Sequence, residues 1–177
     1  MLQIPAAEAA RIDRYPDAKL TLFNPEGSIW TSTASIDDMD SVAGYYEDGG
    51  NVDHGFVRAH DGTIFTFDPQ GSIGTYAQSI NKKGSVTGEY YDSDDIAHGL
   101  VRTSDGTITT FDPQGSIATI ALSVNNKGSI TGEYDDGSQD HGFVRTSDGT
   151  ITVVRSIRIN EYCGIWHQCA RLCNGIL

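Results

Sequence analysis

Apolar and β-branched residues in this chain come in short bursts, and none of the bursts continues with a helical period. In the middle of the chain the first burst is Thr63 to Phe67, with Ile64, Phe65 and Phe67 as its apolar members. Thr75 to Ile80, Ser85 to Tyr91 and Gly99 to Arg102 follow it. Branched and aromatic side chains suit a pleated surface, so each burst predicts a strand. Punctuation supports this. Asn81-Lys82-Lys83-Gly84 and Asn126-Lys127-Gly128 supply the positive φ of a tight hairpin between the second and third strands. Asp61-Gly62, Asp105-Gly106 and Asp148-Gly149 predict type I′ hairpins after the fourth strand. Gly44, Gly88 and Gly132 fall inside the third strand, where a missing side chain predicts a bulge or a close backbone approach. The expected fold is all-β.

The same phrases return at a fixed interval. Asn24-Pro25-Glu26-Gly27-Ser28-Ile29 reappears as Asp68-Pro69-Gln70-Gly71-Ser72-Ile73 and as Asp112-Pro113-Gln114-Gly115-Ser116-Ile117, 44 residues apart each time. His54-Gly55-Phe56-Val57-Arg58 returns as His98-Gly99-Leu100-Val101-Arg102 and His141-Gly142-Phe143-Val144-Arg145. The last interval is 43, because the acidic loop before His141 is one residue shorter. Three full copies are read at about 20–64, 65–108 and 109–151, in one repeat domain over 20–154. An N-terminal extension (1–19) precedes it. A non-repeat tail (155–177) follows, where Arg155-Ser156-Ile157-Arg158 replaces the expected Asp-Pro-Gln-Gly, as at a gene junction or a lost reading frame.

Four antiparallel strands per unit of this length is the arithmetic of a propeller blade. The recurring Ser79-Ile80-Asn81, Gly84, Gly44-Tyr45, His54-Gly55-Phe56 and Asp61-Gly62-Thr63 rhythm resembles the HAF-type extracellular repeat of bacterial proteins. His-Gly-Phe or His-Gly-Leu stands here for the family's His-Ala-Phe, and the likeness covers roughly residues 20 to 153. The resemblance implies a propeller-like β architecture and an extracellular or periplasmic setting; it implies no particular activity. Three units are fewer than the four to eight of a closed ring. Either two protomers complete a ring, or the chain is a segment of a longer array, or the units form a β-trefoil. The propeller-like reading is preferred, with the trefoil second, and a homo-oligomer is expected.

Charge narrows the partners. The 177 residues carry 12 Lys+Arg against 24 Asp+Glu, a formal charge of −12, which disfavours nucleic acid and anionic membrane surfaces as partners. No apolar run approaches the roughly 20 residues of a spanning helix. The amino end, Met1-Leu2-Gln3-Ile4-Pro5, has neither the cationic nor the apolar region of a secretory signal.

Candidate chemistry sits at the loops before the fourth strands. They read Glu47-Asp48-Gly49-Gly50-Asn51-Val52-Asp53, then Asp92-Ser93-Asp94-Asp95, then Asp135-Asp136-Gly137-Ser138-Gln139-Asp140. Calcium takes six to eight oxygens from such flexible carboxylate loops, which makes Asp92, Asp94, Asp95, Asp135, Asp136 and Asp140 the candidate ligands. The bland reading is a solvated turn. His54, His98 and His141 follow directly and are candidate bases, with Glu89 and Glu133 beside them; a histidine present in every copy equally suits a structural tie. Tyr45 replaces that glutamate in the first copy, and a break of threefold equivalence is what a site needs and a scaffold does not. Arg58, Arg102 and Arg145 are expected to pair with surface carboxylates. Cys163, His167, Cys169 and Cys173 lack the spacing of a zinc finger and are read as incidental. Two functions are carried forward. One is a calcium-dependent hydrolase of a small ester or lactone, in which the ion polarises the carbonyl and activates water. The other is a non-catalytic carbohydrate- or surface-binding module that uses Tyr45, Tyr46, Tyr90 and Tyr91 as stacking platforms.

Overall fold

In the computed structural model of the chain, which describes residues 21–154, every predicted burst is a strand and no helix is present among the described residues. Twelve strands form three separate antiparallel sheets. The first sheet takes β1 (Ser28–Ile36), β2 (Val42–Asp48), β3 (Asp53–Arg58) and β4 (Ile64–Phe67) in chain order. The second takes β5 (Gly74–Ile80), β6 (Val86–Tyr91), β7 (Ala97–Arg102) and β8 (Ile108–Phe111). The third takes β9 (Ala118–Val124), β10 (Ile130–Asp135), β11 (Asp140–Arg145) and β12 (Ile151–Val154). The extension 1–19 and the tail 155–177, with Cys163, His167, Cys169 and Cys173, lie outside the described residues.

Successive sheets pack face to face, and their first strands lie next to one another: β5 touches β1 and also β9. Each sheet is a complete four-stranded meander with no strand shared between copies, which is the blade arrangement and not the trefoil. The phase of the unit differs from the copy boundaries read in the sequence. Those boundaries, at 64/65 and 108/109, cut through β4 and β8. The strand after Asp-Gly folds back on the strand before it, Val57 opposite Phe65 and Val101 opposite Thr109, and so closes its own sheet instead of opening the next. Sheets change at the Pro-x-Gly-Ser turn.

The Asp-Gly turns are also of another type. A type I′ turn needs positive φ at both central residues, but only the glycines have it, at 92° for Gly62 and 93° for Gly106 and Gly149. Ala59 and Gly62 close an inner turn (Gly62 N–H to Ala59 C=O, 2.9 Å) inside a wider pair (Ala59 N–H to Thr63 C=O, 2.8 Å). Asp61 contributes its carboxylate, which accepts the Thr63 N–H at 2.9 Å. The strand glycines behave as expected. A Cβ on Gly88 would collide with the Tyr76 carbonyl oxygen, and the β5–β6 register slips beside it, between Ala77 and Ser79.

Two cores form, one at each junction between sheets. At the first, Ala43, Val57 and Phe67 of the first sheet meet Ala77, Ile80, Val86 and Leu100 of the second. At the second, Val101 and Phe111 of the second sheet meet Ala121, Val124, Ile130 and Phe143 of the third. Full burial of a side chain such as Leu100 or Phe143 contributes roughly 1.5–3 kcal/mol. Of the arginines that end β3, β7 and β11, Arg102 and Arg145 belong to these junctions, and Arg58 takes the matching place on the outer face of the first sheet. The guanidinium groups of Arg58, Arg102 and Arg145 lie 5.0, 5.3 and 4.8 Å from the ring centres of Phe23, Phe67 and Phe111. Stacking on an aromatic ring thus replaces the expected surface pairing with carboxylates.

Candidate binding site

The three predicted histidines occupy equivalent places in separate sheets, and each is held by its own sheet. His54 Nδ1 lies 2.7 Å from Asp68 and its Nε2 3.4 Å from Asp48. His98 repeats this with Asp112 at 2.8 Å and Asp92 at 3.2 Å. His141 has Asp136 at 2.7 Å. The rings stack on Tyr46, Tyr90 and Tyr134 at 5.0–5.2 Å. For His54 and His98 burial opposes the charge, but the hydrogen bonds and charges of the two flanking aspartates outweigh it and raise both pKa values above 6.5. Both of these rings thus have a carboxylate facing each nitrogen. The clamp ties the loop before β3 or β7 to the turn after β4 or β8.

The candidate ligand aspartates are engaged in the same construction. Asp92 Oδ1 accepts the N–H groups of Asp94 and Ile96, while Oδ2 faces His98. Asp136 Oδ1 accepts from the Ser138 and Gln139 amides and the Ser138 hydroxyl, with His141 on Oδ2. Those bonds hold Asp92 and Asp136 below the usual carboxylate range, led in Asp92 by the Ile96 amide and in Asp136 by Ser138. Asp135 accepts the Gly137 N–H. Asp95 carries a positive φ of 62° in its turn, and Asp94 and Asp140 are exposed. Among the described residues no three His, Cys, Asp or Glu side chains are grouped to hold one metal ion. Asp92, Asp135 and Asp136 are thus engaged as caps of their own turns, and the chemistry proposed below runs through no ion.

A different constellation lies where the first two sheets meet. Trp30 (β1), Tyr45 (β2), Tyr76 (β5) and Tyr91 (β6) form a continuous row, with ring centres 5.6, 4.9 and 5.7 Å apart in succession. Trp30 is 50% exposed and the tyrosines are partly so. Tyr76 donates its hydroxyl to Asp53 at 2.7 Å. Burial first, and this bond second, push the Tyr76 pKa well above its usual value, so the phenol stays protonated. Burial also raises Tyr91, helped by the charges of Glu89 and Asp95. Beside the row is a groove of about 300 Å³, lined by Asn51, Asp53, Ile73, Gly74, Tyr76, Tyr91 and Asp95.

Of the four tyrosines expected to act as platforms, Tyr45 and Tyr91 join this row. Tyr46 and Tyr90 stack on histidines instead. Trp30 and Tyr76 were not singled out in the sequence. The signal that finds them is disagreement between copies: Trp30 aligns with Gly74 and Ala118, Tyr76 with Ser32 and Ile120, and Tyr91 with Glu47 and Asp135. Glu89, the partner column of Tyr45, is buried beside the row. Its Oε1 accepts from Gln78 at 2.9 Å, its Oε2 has no hydrogen-bond partner, and burial raises its pKa to about 7. Glu133, in the same column, is exposed on the third sheet. No family model, no curated protein and no solved structure matches the chain.

Proposed function

We propose that this chain is a glycan-binding module and that the Trp30–Tyr45–Tyr76–Tyr91 row with its adjoining groove receives a neutral sugar. The observation that carries the reading is the row itself, which among the described residues is built once although the four-stranded sheet occurs three times. A sugar ring offers an apolar face of C–H groups and a rim of hydroxyls. Flat, partly exposed rings match the face. Asp53, Asp95 and Asn51 match the rim, because carboxylate and amide oxygens accept from hydroxyl groups. Two carboxylates in the groove, on a chain of charge −12, disfavour phosphorylated or sulfated ligands. Titration calorimetry against neutral polysaccharides and their oligosaccharides tests this. Trp30→Ala and Tyr91→Ala each weaken binding tenfold or more, which corresponds to about 1.4 kcal/mol. Failure to retain any neutral glycan, or a Trp30→Ala protein that binds as the wild type does, rejects the reading.

One observation favours a hydrolytic role for the same region. Glu89 has an unpartnered oxygen and a pKa near neutrality, the property of a general acid or base. In that reading the groove turns over a small ester or lactone. Turnover that survives a chelator and disappears in Glu89→Gln supports it; absence of turnover leaves the binding module.

A further inference from the structure

The two junctions between sheets are one contact made twice. The front of each sheet, Val57 and Phe67 in the first, packs on the back of the next, Ile80 and Leu100 in the second. A hydrogen bond repeats with it: Ile80 N–H donates to Ser35 Oγ at 3.3 Å, and Val124 N–H to Ser79 Oγ at 3.2 Å. Among the described residues, each half of this contact also occurs once without its partner. On the back of the first sheet, Ile36 is 63% exposed, whereas the equivalent Ile80 and Val124 are 5% and 7% exposed. On the front of the third sheet Thr131 is exposed, whereas its equivalents Ala43 and Thr87 are fully buried.

At the outer edge the back of the first sheet is already covered. Phe23 packs edge-on against Phe56 at 6.0 Å and under Arg58, as Phe111 packs against Phe143 at 5.9 Å and under Arg145. The inner part, around Ile36, is open among the described residues. Two uncovered faces that are the two halves of an interface the chain builds internally specify their occupant.

We propose that the inner back face of the first sheet takes the inner front face of the third sheet of a second copy of this chain. The contact places Ile36 on the strands that carry Thr131 and Val144, with Ser123 Oγ in reach of the Ile36 N–H by analogy with Ser35 and Ser79. Such a contact is heterologous, front to back, so it closes where the sheets complete a ring, as six sheets from two protomers can, and otherwise propagates into an open stack.

Sedimentation velocity of the full chain over rising concentration tests the contact. The weight-average mass of the wild type increases with concentration. Ile36→Asp spoils only the back face and Thr131→Arg only the front, so each variant alone sediments as a monomer. Mixed in equal amounts they pair, because one good front meets one good back, and the mass doubles without rising further. That rescue also shows both variants to be folded. A wild type that stays monomeric, a variant that associates as the wild type does, or a mixture that stays monomeric while the wild type associates overturns the proposal.

Discussion

Glu89 and Glu133 stand in the same phrase, Thr-Gly-Glu-Tyr, at the same place in the second-sheet and third-sheet copies of one unit, and they live in different solvents. Glu89 is 7% exposed because the third sheet covers its face. Glu133 is exposed because no described residue covers the face on which it lies. The contrast shows that residue identity in a repeat sets the strand, and neighbouring copies set the environment. Ile36 and Ile80 teach the same lesson with an apolar side chain. Ile80→Ala opens a hole in the first junction and is expected to cost about 2–5 kcal/mol in chemical denaturation. Ile36→Ala, at the equivalent position, costs under about 0.5 kcal/mol at concentrations where the chain is monomeric. Equal losses at the two sites would mean that the first sheet's back face is covered.

Local features were legible for a local reason. The Gly88 column needs no side chain because the neighbouring strand's carbonyl oxygen occupies the space, and such demands are visible within a few residues. The acidic loops were legible as loops, but the task of each carboxylate was not. Asp92 reads equally as a calcium ligand or as a turn cap until the amides of Asp94 and Ile96 are placed on it. Contacts between sheets were not legible at all. The Arg102 guanidinium sits on Phe67, 35 residues earlier in the chain, and nothing near Arg102 announces that partner. The aromatic row required four strands from two sheets, so its members looked unrelated along the chain. They share only the property of breaking their columns.

The pH dependence of stability sharpens the comparison further. The folded-state pKa of Glu89, about 7, lies above its ordinary value of 4.5. The stabilisation from holding the proton is therefore complete below pH 4.5 and is lost as pH rises through 7. A shift of this size corresponds to about 3 kcal/mol across that window. Glu89→Gln keeps the acceptor for Gln78 and removes the charge, so the variant loses that slope and becomes the more stable protein above pH 7. Glu133→Gln, on the exposed face of the third sheet, leaves in place a slope that belongs to Glu89. Urea unfolding at a series of pH values distinguishes the two, and a slope that persists in Glu89→Gln would assign it to another group.

The smallest effect concerns the histidine clamps, where the comparison is between two carboxylate partners and one. Asp68 and Asp112 follow β4 and β8 and complete the clamps on His54 and His98, while the corresponding place after β12 falls on Arg155 in the sequence. A raised histidine pKa contributes stability that is fully present below 6.5 and is lost as pH rises through the folded value, the same sign as for Glu89. Proton NMR titration of the ring signals should give midpoints above 6.5 for His54 and His98. Asp112→Asn should then lower the His98 midpoint and leave that of His54 unchanged, because each clamp closes within its own sheet. If both midpoints moved together, the histidines would be coupled through a shared centre. That would restore the convergent site which the separate sheets argue against.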